Sequence, residues 1–477
     1  MIRASLFLVA SLLSGHSGFA QVMTPRLVQQ LERTSHSETQ LAWVYLRDKG
    51  DLSGELAEAR QEISARALAR RARRGTTTEV RFEDVPPASG YVQNIRARVQ
   101  RLRHVSKWFN AVSVEARRDQ LEELARLPFV LRIDAVARFR KAPEPTLVPT
   151  LRRSSRDADS IAGPLDYGSS FGQLEQIGVP ALHDMGLTGD GVVVAVFDTG
   201  FMKLGRHEAL RHLDILERWD FVNGDSAVGN NGDVGDGSHG ARVLSMMGGY
   251  APGELIGPAY RASYLLAKTE DTESETPIEE DNWAAAAEWA EAAGADIISS
   301  SLGYLGFDEG FAGYTAGDMD GETALITRAA EMAAELGVVV VTSAGNGGFS
   351  ATGNTLSAPA DGKLVLSIGA VDSFGARAEF SSVGRTSDDR IKPDVMAQGV
   401  LVKGINPRTN DQYGLGDGTS FACPLTAGVV ALLLEAHPEW TVQRIRAALR
   451  STASNASAPT RLMGWGIVDA VQALSSR

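Results

Sequence analysis

Apolar and polar positions divide the chain into two regions of different periodicity. In residues 21–140, short runs of strand character are separated by stretches with helical spacing. Residues 41–46 (LAWVYL), 105–116 (VSKWFNAVSVEA) and 130–137 (VLRIDAVA) read as strands. Helical spacing marks 54–74 and 94–103, both rich in arginine on the outer face, and the short run DQLEELARL. The order strand, helix, strand, helix, strand predicts a small α+β sandwich. Its run RALARRARR reads most simply as a solvated helix face.

Periodicity is lost over 141–167, where four prolines, several arginines and many small polar residues describe an exposed linker, the kind of segment at which chains are cut. From 168 onward the pattern changes. GVVVAVFD (191–198), YLLAKT (264–269), ADIISSSLG (295–303), GVVVVTSAG (337–345) and LVLSIGAVD (364–372) are apolar on both faces. Alanine-rich helical stretches, 282–294 and 324–337, lie between them. This alternation predicts an α/β domain over 168–477, with a mostly parallel central sheet and helices on both faces. Chemistry in such sheets sits on loops at the carboxyl ends of strands.

Composition refines this division. The first twenty residues, MIRASLFLVASLLSGHSGFA, join a positive start to a short apolar stretch and small residues at 18–20. They read as a cleaved signal peptide, because SLFLVASLL is too short to span a bilayer. A secreted protein is expected, extracellular or periplasmic, with no membrane anchor. Cys423 is the single cysteine, so no disulfide forms within the chain, and its place at the start of an apolar helix favours a buried structural thiol. The net charge of −12 hides an asymmetry: residues 21–160 hold 26 Lys and Arg against 18 Asp and Glu, whereas 161–477 hold 20 against 41. A basic segment raises the question of nucleic acid. Attached to a strongly acidic region and lacking interleaved aromatics, its simpler partner is its own chain.

Several strands of the second region end in polar residues that a bare core would not need. GVVVAVFDTG ends in Asp198, DVGDGSHGARVLSMMGG sets His239 in a Gly-rich turn opening a helix, GVVVVTSAGNGG ends in Asn346, and GDGTSFACP puts Ser420 at a helix start. Singly, these are ordinary turn, cap and packing residues. Together they supply acyl transfer: a hydroxyl nucleophile, a base near neutrality, a carboxylate to orient that base, and donors for an oxyanion.

DTG, SHGA, SAGN and GTSFACP, in the order Asp, His, Asn, Ser, resemble the subtilisin-like serine proteases, over roughly residues 168–475. No GxSxG surrounds Ser420, which sets the chain apart from nucleophile-elbow hydrolases. The resemblance implies a subtilisin-like fold preceded by a small α+β, ferredoxin-like propeptide over 21–140 that acts as intramolecular chaperone and inhibitor. WVYLRDKG, RALARRARRG, IEEDNW and DMDG also resemble a group of bacterial secreted subtilases. Carried over by motif, Ser420 is the nucleophile, His239 the general base and acid, and Asp198 its orienting carboxylate. Asn346 is the oxyanion donor, working with the Ser420 amide. Ser301, Leu302 and Gly303 form the edge that pairs with extended substrate, and 343–348, including Gly345, part of the primary specificity pocket. The family usually has Thr where this chain has Ala241, a packing position.

His207, in GRHEAL, competes for the role of base but lacks the Gly-rich turn and apolar helix that attend His239; His183 and His437 read as surface or packing residues. The acidic loop EDTESETPIEED (270–281) has two readings, a structural calcium site or a solvated loop. No Asp/Asn/Gly spacing defines an ion loop there, so the solvated reading is preferred. No cofactor is required, calcium enters only as a structural ion, and no metal ligand is assigned. The function implied is a secreted endopeptidase acting as a monomer on protein or peptide substrates, with its own propeptide as inhibitor and a self-cleavage between about 141 and 168. The alternative is a catalytically inactive relative that serves as a secreted binding protein. It predicts loss of at least one of the four chemical positions.

Overall fold

Apolar residues on both faces make 39–46 a strand suited to the middle of a sheet, and Thr39–Leu46 (β1) is buried along nearly its whole length. The computed structural model describes residues 22–50, 55–77, 80–136, 138–139, 148–150, 165–229, 237–270, 278–304 and 314–476. They form two compact units, one drawn from residues up to 52 and from 86–136, the other from 53–85 and 137–477. The expected signal peptide and most of the linker lie outside the described residues.

In the smaller unit, β1 joins Arg101–Ser106 (β2), Ala111–Arg117 (β3) and Val130–Ala135 (β4) in an antiparallel sheet of order β2-β3-β1-β4. Ala42, Val44, Val112, Val114 and Ile133 pack with Leu121 and Leu124 of a short helix into one core. Two expectations are corrected. Residues 94–103 are not one helix: the helix is Ser89–Arg96, and β2 begins at Arg101 because cross-strand pairing with β3 overrides the helical spacing. Residues 105–116 are not one strand either, since the chain reverses at 107–110. Asn110 takes the left-handed conformation there (φ 47) and its amide donates to the carbonyls of Leu46 and Asp48.

The larger unit opens with two helices, Glu55–Glu62 and Ala65–Arg73. They are separated by Ser64, whose hydroxyl caps the second by accepting from Ala67 N–H (3.1 Å). The arginines of this second helix and its C-cap overturn the solvated-face reading: Arg70, Arg71 and Arg74 are buried, because Glu291, Asp84 and Asp296 face them. Two short strands follow, Arg138–Phe139 (β5) and Val148–Thr150 (β6).

The main sheet contains Val193–Asp198 (β7) and Asp214–Asp220 (β8). After a small hairpin, Tyr250–Ala251 (β9) and Leu255–Ile256 (β10), comes Ser263–Lys268 (β11), and Ile278–Glu279 (β12) pairs with β5. Ile297–Ser300 (β13), Val339–Ser343 (β14) and Leu366–Val371 (β15) continue the sheet. Gly384–Arg385 (β16) and Ile391–Lys392 (β17) form a second hairpin, and Val395–Gln398 (β18) closes the edge. The seven strands run in the order β18-β15-β14-β13-β7-β11-β8, every pair parallel. The sequence pattern missed β8 and β18. β8 is an exposed edge strand without a continuous apolar run, and β18 spans only four residues. Val402–Ile405 (β19), Tyr413–Gly416 (β20) and β6 make a separate antiparallel sheet.

The apolar run after Ser420 is the helix Thr419–Ala436. It is long and apolar enough to cross a membrane but 89% buried within the protein, where it packs on β13, β14, β15 and β18. The chain leaves β7 for one side of the sheet (β8, β11) and then returns to build the other (β13, β14, β15 and β18). β7 therefore marks the point where strand order reverses, and its carboxyl end opens the crevice such sheets use for binding.

Candidate active site

β7 delivers Asp198 to that crevice. The carboxylate is fully buried, and its Oδ1 accepts from His239 Nδ1 (2.7 Å), Thr199 N–H (2.7 Å) and the Thr199 hydroxyl (3.2 Å). His239 lies in the first turn of the helix Ser238–Gly248. The next residue must be glycine, since a Cβ at Gly240 would stand 2.4 Å from the Gly200 carbonyl and 2.8 Å from Asp198 Cβ. The SHG motif thus lets the helix start directly against the carboxylate. With Asp198 accepting at Nδ1, the proton of neutral His239 sits on Nδ1 and Nε2 is the basic nitrogen.

Ser420 lies at the start of the helix Thr419–Ala436 and is nearly buried. The adjacent Phe421 ring stacks on the His239 ring at a centroid distance of 5.7 Å. Asn346 follows β14, exposed at its carboxyl end. Its Oδ1 accepts from Thr419 N–H (3.0 Å) and the Thr419 hydroxyl (2.9 Å), which fixes the orientation of the amide. A Cβ on Gly418 would lie 2.7 Å from Ser420 Oγ and 3.8 Å from Asn346 Nδ2, so both atoms border the same small space.

Two residues that sequence reasoning did not connect hold this arrangement. Pro424 stands four positions after Ser420 and has no N–H to give the Ser420 carbonyl. Ser301 supplies the missing donor: its hydroxyl reaches that carbonyl at 2.7 Å. The proline four residues beyond the serine was the available signal. Leu302 is buried and its carbonyl accepts from the Ser343 hydroxyl (3.3 Å), whereas Gly303 is exposed. Residues 301–303 continue β13 beyond its ladder. Gly345 adopts φ 105, and a Cβ there would meet Ser357 Oγ at 2.4 Å. Tyr304 is wholly buried, with its hydroxyl donating to Glu270; burial and that carboxylate push the phenol well above its ordinary range.

The competing histidines are occupied elsewhere. Both ring nitrogens of buried His207 are engaged, with the Gln412 carbonyl (3.0 Å) and with Ala209 N–H (3.2 Å). His183 bonds the Tyr167 hydroxyl and the Pro258 carbonyl, and His437 stacks on Trp440. Cys423 is buried, its thiol pushed up to about 12 by burial, so it remains protonated. The acidic loop departs from the solvated reading at its two ends: Glu270, Glu280 and Asp281 are buried, Glu280 accepting from the Tyr314 hydroxyl (2.8 Å). Residues 271–277 of this loop lie outside the described residues. Among the described residues no group of three or more His, Cys, Asp and Glu is disposed to hold a metal ion.

A parallel sheet with a carboxylate, an imidazole and a helix-start serine gathered at its carboxyl edge defines the class of α/β serine peptidases. The model of the subtilase family matches residues 189–466, more than half of the chain, and the chain belongs to that family: it is a serine endopeptidase. The peptidase S8 propeptide domain of Bacteroidota matches residues 41–147. Subtilisin NAT of Bacillus subtilis subsp. natto is 34% identical over 300 residues, 62% of this chain and 69% of that protein. Subtilisin of Bacillus pumilus is 33% identical over 283 residues, 59% of this chain and 90% of its own length. Among solved structures, fervidolysin of Fervidobacterium pennivorans, a keratinolytic enzyme related to subtilisin, superposes with a TM-score of 0.63 at 22% identity. That alignment covers 93% of this chain and 62% of the fervidolysin chain.

Proposed function

We propose that the chain is a secreted serine endopeptidase, made as a self-processing precursor, that cleaves peptide bonds through an acyl-enzyme on Ser420. The observation that carries this reading is the buried 2.7 Å contact between His239 Nδ1 and Asp198. With Nδ1 engaged there, Nε2 is left as the proton acceptor of the ring, and the stacking of Phe421 on that ring supports a place for the serine beside it. Ser420 Oγ attacks the scissile carbonyl carbon as its proton passes to His239 Nε2. The carbonyl oxygen becomes an oxyanion that Asn346 Nδ2 and the Ser420 N–H receive. Collapse breaks the C–N bond; His239 returns the proton to the leaving amine, and water repeats the sequence to release the acid. Asp198 keeps the ring oriented and offsets its positive charge without taking the proton itself.

Ser301, Leu302, Gly303 and Gly345 are the proposed substrate contacts, with extended peptide adding to the edge beyond β13. No cofactor enters these steps. The propeptide over 21–140 is the proposed intramolecular inhibitor, the linker 141–167 carries the maturation cut, and the enzyme of 168–477 acts as a monomer. A silent binding protein would lack one of the four positions, and none is missing. Expression of Ser420→Ala tests the reading. It should accumulate uncut precursor and hydrolyse no peptide, whereas normal processing in a purified, protease-free preparation would overturn self-cleavage.

A further inference from the structure

The helix Ala65–Arg73 falls within the propeptide match, yet it packs within the larger unit on the helix Glu280–Ala293. Arg66, Arg70 and Arg74 recur every four residues and so share a face. That face meets a seat built for guanidinium groups. Glu291 is wholly buried, accepts from Arg70, and takes two bonds from Arg71 (2.9 and 2.8 Å), which also forks onto Asp84 (2.9 and 2.8 Å). Asp296 accepts from Arg74 (2.9 Å) and from Arg66. The last carbonyls of a helix have no donors of their own. Here Ser64 N–H reaches Ala292 O (2.9 Å), Arg66 reaches Gly294 O (3.1 Å) and Arg70 reaches Ala295 O (2.6 Å). Gly294, at φ 101, leaves the space that Arg66 fills, since a Cβ there would come within 2.9 Å of the arginine side chain.

Asp296 precedes β13 and also accepts from Val193 N–H at the start of β7 (3.1 Å). The seat therefore lies at the amino edge of the sheet, the edge opposite Asp198. Planar forks on two-oxygen acceptors make it selective for arginine over a point charge such as lysine. Withdrawing the helix breaks all these bonds together, so each contact holds the next in place.

We propose that Glu291, Asp296 and the carbonyls of Gly294 and Ala295 form a guanidinium-binding exosite, separate from the catalytic edge, whose ligand is the arginine helix of the prosegment. The arginine face is what keeps the helix seated at this edge after the chain is cut in the linker. This rests on the reading that the chain is processed, so the test supplies the cut. A full-length Ser420→Ala chain carries a site-specific protease sequence inserted between Arg156 and Asp157. After cutting, the two pieces co-elute on size exclusion, and the combined Arg66→Ala and Arg74→Ala changes speed release of the amino-terminal piece about tenfold or more. Free arginine accelerates release from the otherwise unaltered chain, whereas lysine at equal ionic strength does not, a comparison that needs no folded variant. Immediate separation of the unaltered pieces, or release indifferent to both the substitutions and arginine, overturns the exosite. An uncut wild-type enzyme would count against self-processing alone.

Discussion

The two ends of β7 set a buried carboxylate in opposite company. At the amino end, Asp296 accepts from Val193 N–H and from the guanidinium groups of Arg66 and Arg74, with the Glu291–Arg70–Arg71 cluster beside it. At the carboxyl end, Asp198 faces an imidazole. Guanidinium does not give up its proton in proteins, so the first pairing can only hold parts together. Imidazole can take up a proton and give it back, so the second is the pairing proposed to move one. What separates architecture from chemistry here is the partner's proton and not the burial of the acid.

The largest effect expected is at the carboxyl end. Ser420→Ala should lower turnover by about 10⁶, a magnitude known from the subtilisin type itself, with His239→Ala no further additive on top of it. Peptide hydrolysis measured with both single variants and the double checks this, and full additivity would break the idea of one coupled unit. The amino end should respond in stability instead. Glu291→Ala leaves two buried arginines without their shared partner, at a cost of about 3–5 kcal/mol. Denaturant unfolding of the Ser420→Ala precursor reads this without self-digestion, and an unchanged midpoint would mean the cluster is ornamental.

How far each end was legible in the sequence follows the same division. Asp198, His239, Asn346 and Ser420 lie in short motifs whose Gly-rich turns encode their own local geometry, so both residue and setting could be read. Gly240 is an instance, because its lack of a side chain is what brings helix and carboxylate together. The arginines were equally visible, and their spacing even put three on one face. Their acceptor Asp296, however, lies 230 residues from Arg66 in the chain, and no local pattern reports it. The same holds for Tyr304, whose burial depends on Glu270, and for the reversal at Asn110, which divides one apolar run into two strands. Interior strands with continuous apolar runs were read correctly, while edge strand β8 was not.

A third test concerns the proposed oxyanion donor. Asn346→Leu keeps the size of the side chain but removes Nδ2, and should cost about 10²–10³ in kcat with little change in KM. A loss confined to KM would assign Asn346 to substrate binding instead.

A further buried carboxylate, Asp394, sharpens the comparison through pH. Burial alone would raise its carboxyl, but Lys392, Arg450 and Arg446 overcome this and hold it well below the usual carboxylate range. Unfolded, it titrates at about 3.9. The stability it contributes is thus fully present above about pH 4 and is lost as the pH falls below that. Unfolding midpoints of the Ser420→Ala precursor should drop through this range, with a flatter acid limb in Asp394→Asn. An identical limb in both would remove Asp394 from the account.

The smallest effect, and the one that isolates how the proposed nucleophile is held, concerns Ser301. Its hydroxyl serves the Ser420 carbonyl because Pro424 cannot. Ser301→Ala should therefore leave a buried carbonyl unpaired, at about 1–3 kcal/mol of stability, with some loss of kcat as the helix start loosens. Pro424→Ala restores an N–H four residues on, the ordinary helical donor for that same carbonyl. If Ser301 acts through this bond, the serine substitution should cost less in the Pro424→Ala background than alone, a positive coupling in a double-mutant cycle read by unfolding and by kcat. Equal costs in both backgrounds would mean that Ser301 matters to substrate or to packing, and that the proline and the serine are independent.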